Sequence, residues 1–212
     1  GSPIMNIQCP RKFITIDDEG YKRYYADDLP IDKNKLKYYE KFDKDKPKRR
    51  QVYELMADNM AECWYKMGEG NLDVFAENTL TNRAPCIICA EIGFSKDFDK
   101  NIGLGTLEDF EAYMKQNNFT KYGKNVNYHD FFFFIYGGGF SMADLLYYVE
   151  EDSLHLLLEE NANINPEQSF LITFQGFQFS KANNFYKEIF GNSVAPGDRY
   201  YVYLGPQDET VR

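Results

Sequence analysis

The chain has 212 residues, a formal net charge of −9, and a composition that is 43% hydrophobic and 17% aromatic. This apolar content is enough to form a core, which excludes an intrinsically disordered chain. No apolar run approaches the roughly 20 residues of a membrane-spanning helix, so no membrane partner is expected. The negative charge also disfavours a general nucleic-acid binder.

The length of the chain predicts a single domain. Residues 1–4, G-S-P-I, are typical of a cloning remnant, and Met5 is the expected native start. We expect residues 5–212 to form one globular domain of the α+β or α/β class. Its mixed β-sheet is expected to be covered by helices and to begin with an N-terminal β-hairpin.

Residues 12–25 predict that hairpin, because the acidic turn D-D-E-G separates two runs rich in Ile, Phe and Tyr. A basic segment extends from Lys33 to Arg50, with a short helix expected over residues 32–42 and a boundary at Pro47. We expect this segment to be helical or a linker. It either packs on the acidic remainder of the chain or forms a second contact surface, including one for nucleic acid.

The clearest predicted helix spans residues 48–67, where apolar residues recur at the helical period. This stripe is expected to face the core and consists of Val52, Leu55, Met56, Met60, Cys63, Trp64 and Met67. The later predicted elements are a strand at 84–92, a helix at 106–117, a strand at 130–136, a helix at 141–161, a strand at 170–174, a helix at 181–190 and a strand at 199–204. The apolar run at 130–136 predicts the central strand of the sheet, covered on both faces.

Three glycines, Gly137, Gly138 and Gly139, lie between this strand and the helix that begins at Ser141. Free N–H groups at a helix N-terminus attract anions, so the loop and Ser141 are candidate binding residues for a phosphate or nucleotide. The alternative is a sharp turn with Ser141 as the helix cap, because the dinucleotide fingerprint lacks its third glycine.

The chain contains two histidines, His129 and His155. His155 lies in a leucine-rich helical segment and is expected to pack, whereas His129 precedes the predicted central strand. Together with Tyr136, His129 is a candidate catalytic residue if the glycine loop forms the pocket of a small enzyme. The sequence pairs no nucleophile with His129, so a binding protein is favoured over an enzyme.

No cofactor is expected, and calcium is the alternative for which the sequence offers candidate ligands. Four residues have the spacing of the ligand positions in an EF-hand loop: Asp97, Asp99, Asn101 and Glu108. Ile102 stands where that loop needs glycine, and a strand precedes the loop instead of a helix. The alternative is a polar loop that ends in a helix cap formed by Thr106 and Asp109.

The four cysteines are expected to be reduced thiols of a cytoplasmic protein, with Cys63 packed in the core. Cys86 and Cys89 enclose two isoleucines inside a predicted strand. Residues three apart in a strand point to opposite faces, so this pair cannot hold one metal ion without a bulge.

Acidic residues are the most pervasive signal in the sequence. Glu150, Glu151 and Asp152 follow Tyr147 and Tyr148, a mixture typical of an interaction surface. The alternative is that the charge maintains solubility. We expect an acidic cytoplasmic protein-binding domain that engages a basic protein partner, such as an inhibitor, an immunity protein or an anti-defence protein.

Overall fold

A seven-stranded mixed sheet, a two-stranded antiparallel sheet and three helices are the main elements of the part of the chain that the structure describes. The computed structural model describes residues 11–25, 38–70, 86–131, 134–136, 163–176 and 200–206. The strands are β1 (Lys12–Ile16), β2 (Gly20–Tyr25), β3 (Tyr39–Lys41), β4 (Cys86–Phe94), β5 (Asn118–Phe119), β6 (Val126–Asn127), β7 (Phe134–Tyr136), β8 (Phe170–Gly176) and β9 (Tyr200–Pro206). The helices are α1 (Lys48–Lys66), α2 (Leu107–Gln116) and α3 (Tyr128–Phe131).

Seven of the described strands form one sheet in the order β3-β2-β1-β4-β8-β9-β7. β1 runs parallel to β4, and β7 runs parallel to β9. The other neighbours in this sheet are antiparallel. The predicted mixed sheet with helices is therefore confirmed, and so is the α+β class.

The predicted N-terminal hairpin is confirmed as the pair β1 and β2. The Asp17 carboxylate closes its turn by accepting hydrogen bonds from the N–H groups of Glu19 and Gly20, at 3.1 and 3.0 Å. β3 then pairs with β2 and places the Glu40 carbonyl oxygen only 2.0 Å from where a Cβ on Gly20 would stand. Only glycine permits this close approach of the two backbones.

The helix expected over residues 32–42 is wrong where the structure describes it, because Tyr39–Lys41 is the strand β3. The free edge of β2 supplies hydrogen-bond partners to this segment, which outweighs its local helix propensity. The described part of the basic segment is thus a strand, a loop and the first turn of α1 rather than a continuous helix.

α1 lies on the sheet and supplies the centre of the core. The whole predicted apolar stripe is buried, and Met56, Met60 and Met67 have no exposed surface. The Trp64 ring lies 5.9 Å from the Phe174 ring of β8. The prediction that this methionine-rich stripe is core rather than a partner surface is confirmed.

α2 begins where the sequence predicts. The Thr106 hydroxyl accepts a hydrogen bond from the Asp109 N–H, and the Asp109 carboxylate accepts one from the Thr106 N–H. This reciprocal pair is a capping box, which satisfies two N–H groups that the helix leaves free. Phe110 and Met114 of α2 are fully buried against α1 and its neighbours.

The central strand predicted at residues 130–136 is wrong. Asp130 and Phe131 belong to the short helix α3, and the described strand of this run, Phe134–Tyr136, is the last in the order of the described strands. The Asn127 carboxamide accepts a hydrogen bond from the His129 N–H at 3.0 Å, which starts a helical turn instead of an extended chain. Among the described strands, β4 occupies the middle position of the sheet.

The other predicted strands agree with β4, β8 and β9 to within two residues at each end. The helices predicted at residues 141–161 and 181–190 lie outside the described residues. None of the described helices is long and apolar enough to span a bilayer.

Candidate functional site

A buried ionic cluster joins β1 to the C-terminal half of α1. The Lys12 Nζ lies 2.5 Å from a Glu62 carboxylate oxygen and donates a hydrogen bond to the Asn59 side chain at 3.1 Å. Lys66 approaches the other Glu62 oxygen at 2.7 Å. The Lys12 side chain is only 6% exposed and that of Glu62 13%, so both charges depend on each other for solvation.

The pKa values of this cluster follow from burial and from the shared carboxylate. Burial lowers the pKa of Lys12 to about 8, even though Glu62 favours its charged form. Burial alone would raise the pKa of Glu62, but the ammonium groups of Lys12 and Lys66 outweigh it and lower the value to about 2. Burial and the same carboxylate raise the pKa of Tyr122 to about 12.

A disulfide bond between Cys63 of α1 and Cys89 of β4 lies beside this cluster. The expectation of reduced thiols is therefore wrong for these two cysteines. The pairing of β4 with β8 shifts register between Ile88 and Ala90, so Cys89 occupies a bulge. The two Cα atoms are 5.8 Å apart, a separation that a disulfide spans.

The disulfide and the ionic cluster line the same small cavity, whose volume of about 20 Å³ is close to that of one water molecule. Its walls are Lys12, Asn59, Glu62, Cys63, Lys66, Met67, Cys89 and Ala90. Two cationic groups and one carboxylate therefore surround the two sulfur atoms.

A second and larger feature is a groove between the N-terminal end of α1 and α2, with a volume of about 360 Å³. Its walls are Pro47, Arg49, Arg50, Tyr53, Asp109, Ala112, Tyr113, Gln116 and Asn117. The Tyr53 and Tyr113 rings meet edge to face with centroids 5.7 Å apart, which fixes the aromatic wall.

Two arginines give the groove its charge. Arg49 lies 2.5 Å from the Asp109 carboxylate and donates to the Tyr53 hydroxyl at 3.1 Å, and Arg50 donates to the Asn117 carboxamide at 3.0 Å. The Thr106 N–H and the Arg49 guanidinium lower the pKa of Asp109, which keeps it ionised. The groove thus offers guanidinium N–H donors and aromatic surface to a ligand.

The four candidate calcium ligands do not form a cluster. Asp99 accepts a hydrogen bond from the Asn101 N–H at 2.9 Å, so it caps the turn Lys100–Ile102. Asp97 and Glu108 are exposed, and Glu108 belongs to the first turn of α2. Among the described residues, no group of three or more His, Cys, Asp or Glu side chains is placed to hold a metal ion. Calcium binding stays a prediction.

His129 belongs to the short helix α3 rather than to a loop at the start of a strand. Its side chain is 18% exposed and lies 3.8 Å from a Glu111 carboxylate oxygen of α2. Tyr136 ends β7, and its side chain lies outside the description. The structure brings His129 together with carboxylates and leaves its catalytic role a prediction.

The remaining site predictions fall outside the described residues. These are the glycine loop with Ser141, and the acidic and aromatic residues Tyr147, Tyr148, Glu150, Glu151 and Asp152.

Lys12 is not among the site residues predicted from the sequence, although its position in β1 contains a signal. Lys12 shares one face of β1 with Ile14 and Ile16, which are both buried. A lysine on the inward face of a strand implies a buried partner, because an unpaired ammonium there is costly. The pairing of Cys63 with Cys89 left no such signal, since spacing along the chain does not reveal proximity across elements.

No protein-family model matches the chain, and neither a curated protein nor a solved structure matches it.

Proposed function

We propose that this chain is an acidic protein-binding domain that engages a basic protein partner. The observation that carries the proposal is the uneven distribution of charge. Residues 1–50 carry 13 Lys and Arg against 9 Asp and Glu, whereas residues 51–212 carry 11 against 24. The net charge of −9 therefore comes from residues 51–212, which include Glu150, Glu151 and Asp152.

The ion pairs of the described part support the same proposal. At least eight of its carboxylates lie within ion-pair distance of a lysine or arginine of the chain: Asp17, Asp18, Asp58, Glu62, Glu69, Glu91, Asp109 and Glu111. These groups are neutralised internally and contribute little to the attraction of a partner. The carboxylates at residues 150–152 follow Tyr147 and Tyr148 in the sequence, and this mixture of charge and aromatic side chains is typical of a contact surface.

An inhibitor of a nucleic-acid-handling enzyme fits this charge, because such enzymes present basic surfaces to phosphates. An immunity protein and an anti-defence protein are two forms of such an inhibitor. The cytoplasm remains the predicted location, but the Cys63–Cys89 disulfide removes the reduced thiols on which that prediction was based.

The experiment uses the full chain to capture its partner and then measures affinity at about 50 and about 500 mM salt, where screening differs strongly. The test variant combines Glu150→Gln, Glu151→Gln and Asp152→Asn. The matched control removes the same charge from exposed described residues through Asp97→Asn, Glu108→Gln and Asp130→Asn. We expect about a tenfold or greater loss of affinity for the test variant only, mainly through slower association. Equal affinities for the two variants would refute the assignment.

A second candidate function is the binding of a small anionic ligand in the groove between α1 and α2. The observation that favours it is the pair Arg49 and Arg50 beside the Tyr113 ring in a groove of about 360 Å³, the size of a small-molecule site. The probes are inorganic phosphate and adenosine monophosphate, read by thermal unfolding. Stabilisation that Arg50→Ala abolishes and Lys46→Ala retains supports this candidate, and no stabilisation by either probe contradicts it.

A further inference from the structure

We propose that the Cys63–Cys89 disulfide is a thiol–disulfide exchange site for a low-molecular-weight thiol, in which Lys12 stabilises the thiolate that leaves. The proposal is independent of the acidic surface and of the groove. It rests on three features that meet at one place: the disulfide, the bulge in β4 and the buried ionic cluster.

Access favours attack on Cys89. Cys63 is only 3% exposed in the middle of α1, whereas Cys89 is half-buried at the bulge of β4. Both cysteines line the small cavity together with Lys66, whose side chain is 38% exposed. Because the cavity holds only about one water molecule, the small thiol attacks Cys89 from the protein surface rather than from inside the cavity.

The charges around the cavity favour the reduced state. Lys12 and Lys66 carry two positive charges against the single carboxylate of Glu62, so the walls are net positive before a thiolate forms. Nearby cationic groups stabilise thiolates and lower their pKa.

The step balances with the small thiol as the reductant. Its thiolate attacks the Cys89 Sγ, a mixed disulfide forms, and the Cys63 Sγ leaves with the electron pair of the broken bond. A second thiolate then attacks the small-molecule sulfur of the mixed disulfide, so that the oxidised small disulfide forms and the Cys89 Sγ leaves with the electron pair of the broken bond. Two small thiolates are thus oxidised to one disulfide, and the protein disulfide is reduced to two thiolates, which take protons from solvent according to their pKa values.

The test equilibrates the full chain with mixtures of reduced and oxidised glutathione and counts free thiols by alkylation and mass spectrometry. Cys9→Ala and Cys86→Ala form the common background, so that only Cys63 and Cys89 are counted. We expect the native protein to equilibrate between oxidised and reduced forms. If the disulfide stays oxidised at every ratio and is reduced only in denaturant, the proposal is wrong.

The variant Lys12→Met tests the role assigned to the ammonium. We expect the equilibrium constant for reduction to fall about tenfold, which is about 30 mV for this two-electron couple. Lys66→Gln should shift it in the same direction by a smaller factor, and it preserves the buried pair if Lys12→Met does not fold. Lys115→Gln, on α2 and not among the residues that line the cavity, is the control with no shift expected. Folded Lys12→Met and Lys66→Gln proteins with unchanged constants would overturn the assignment.

Discussion

The two ends of α1 carry ion pairs of the same kind in very different surroundings. Near its N-terminus, Arg49 faces Asp109 of α2, and the two side chains are 38% and 49% exposed. Near its C-terminus, Glu62 faces Lys12 of β1, and the exposed fractions are 13% and 6%. Each pair joins α1 to a neighbouring element, and the main difference between the two pairs is how far their side chains are buried.

Burial changes what such a pair does for the molecule. In water, an exposed pair gains little, because solvent screens the charges and the side chains lose freedom when they are held together. In the interior, each charge is solvated mainly by its partner. Removal of one charge therefore leaves the other buried without a counter-charge. The N-terminal pair thus adds little to the stability of the fold, whereas the C-terminal pair fixes β1 against α1 and places charge beside the disulfide.

The largest expected effect comes from Glu62→Gln, which breaks the buried pair from the carboxylate side. Lys12 would keep its hydrogen bond to the Asn59 side chain but would lose the buried negative charge that balances its ammonium group. We expect the free energy of unfolding to fall by about 3–5 kcal/mol, measured by urea denaturation. Glu69→Gln is the matched control, because the Glu69 and Lys124 side chains are each about one third exposed. A loss below about 1 kcal/mol for Glu62→Gln would remove the distinction between the two ends of the helix.

Acid unfolding should report the same buried pair. The pKa of Glu62 is about 2 in the folded chain against an ordinary value of 4.5. As the pH falls, the unfolded chain binds this proton first, so the contribution is complete above pH 4.5 and is lost between 4.5 and about 2. The shift corresponds to about 3 kcal/mol. Urea denaturation across this window should show a steeper fall of stability for the natural chain than for Glu62→Gln, and equal slopes would contradict the assignment.

A smaller effect is expected from Thr106→Ala at the start of α2. The substitution removes the hydroxyl that accepts the Asp109 N–H, while Asp109 keeps its ion pair with Arg49. We expect a loss of about 1 kcal/mol in the free energy of unfolding, as for other N-caps. Thr120→Ala, at an exposed position outside the helices and strands, should change it by less than about 0.5 kcal/mol. Equal losses would show that the cap does not stabilise α2.

The smallest effect is expected from Arg49→Gln, which removes the exposed pair. We expect the free energy of unfolding to change by less than about 1 kcal/mol. A double-mutant cycle with Asp109→Asn separates the ion pair from the hydrogen bond that Arg49 donates to Tyr53. A coupling energy as large as that of Glu62 with Lys12 would show that exposure does not determine the strength of these pairs.

Local signals predicted much of the fold correctly. The hairpin followed from its acidic turn, α1 from its apolar stripe and α2 from the pair Thr106 and Asp109. In each case the deciding interactions join residues a few positions apart, so the sequence alone contains them. Local signals did not predict the position of each strand in the sheet. The apolar run at 130–136 indicated a central strand, but β4 occupies the middle position among the described strands.

The candidate site was predictable only in fragments. The helical period predicted that Cys63 is buried, and the alternation in β1 could have predicted that the Lys12 side chain points into the core. Neither pattern identifies the residue that contacts Cys63 or Lys12. Lys12 meets Glu62 across 50 residues of sequence, and Cys63 meets Cys89 only because a bulge interrupts β4. Such contacts arise from the packing of α1 on the sheet rather than from any local pattern.

The sequence by itself therefore determined the type and approximate ends of most described elements, together with the acidic charge and its uneven distribution. Only the tertiary structure decided that Tyr39–Lys41 is a strand, which segment is central in the sheet, and that two cysteines and a buried lysine share a cavity. The physical reason is the separation along the chain between the residues that interact. Turns, caps and apolar stripes depend on neighbours along the chain, whereas strand order, disulfides and buried ion pairs depend on which surfaces meet when the chain folds.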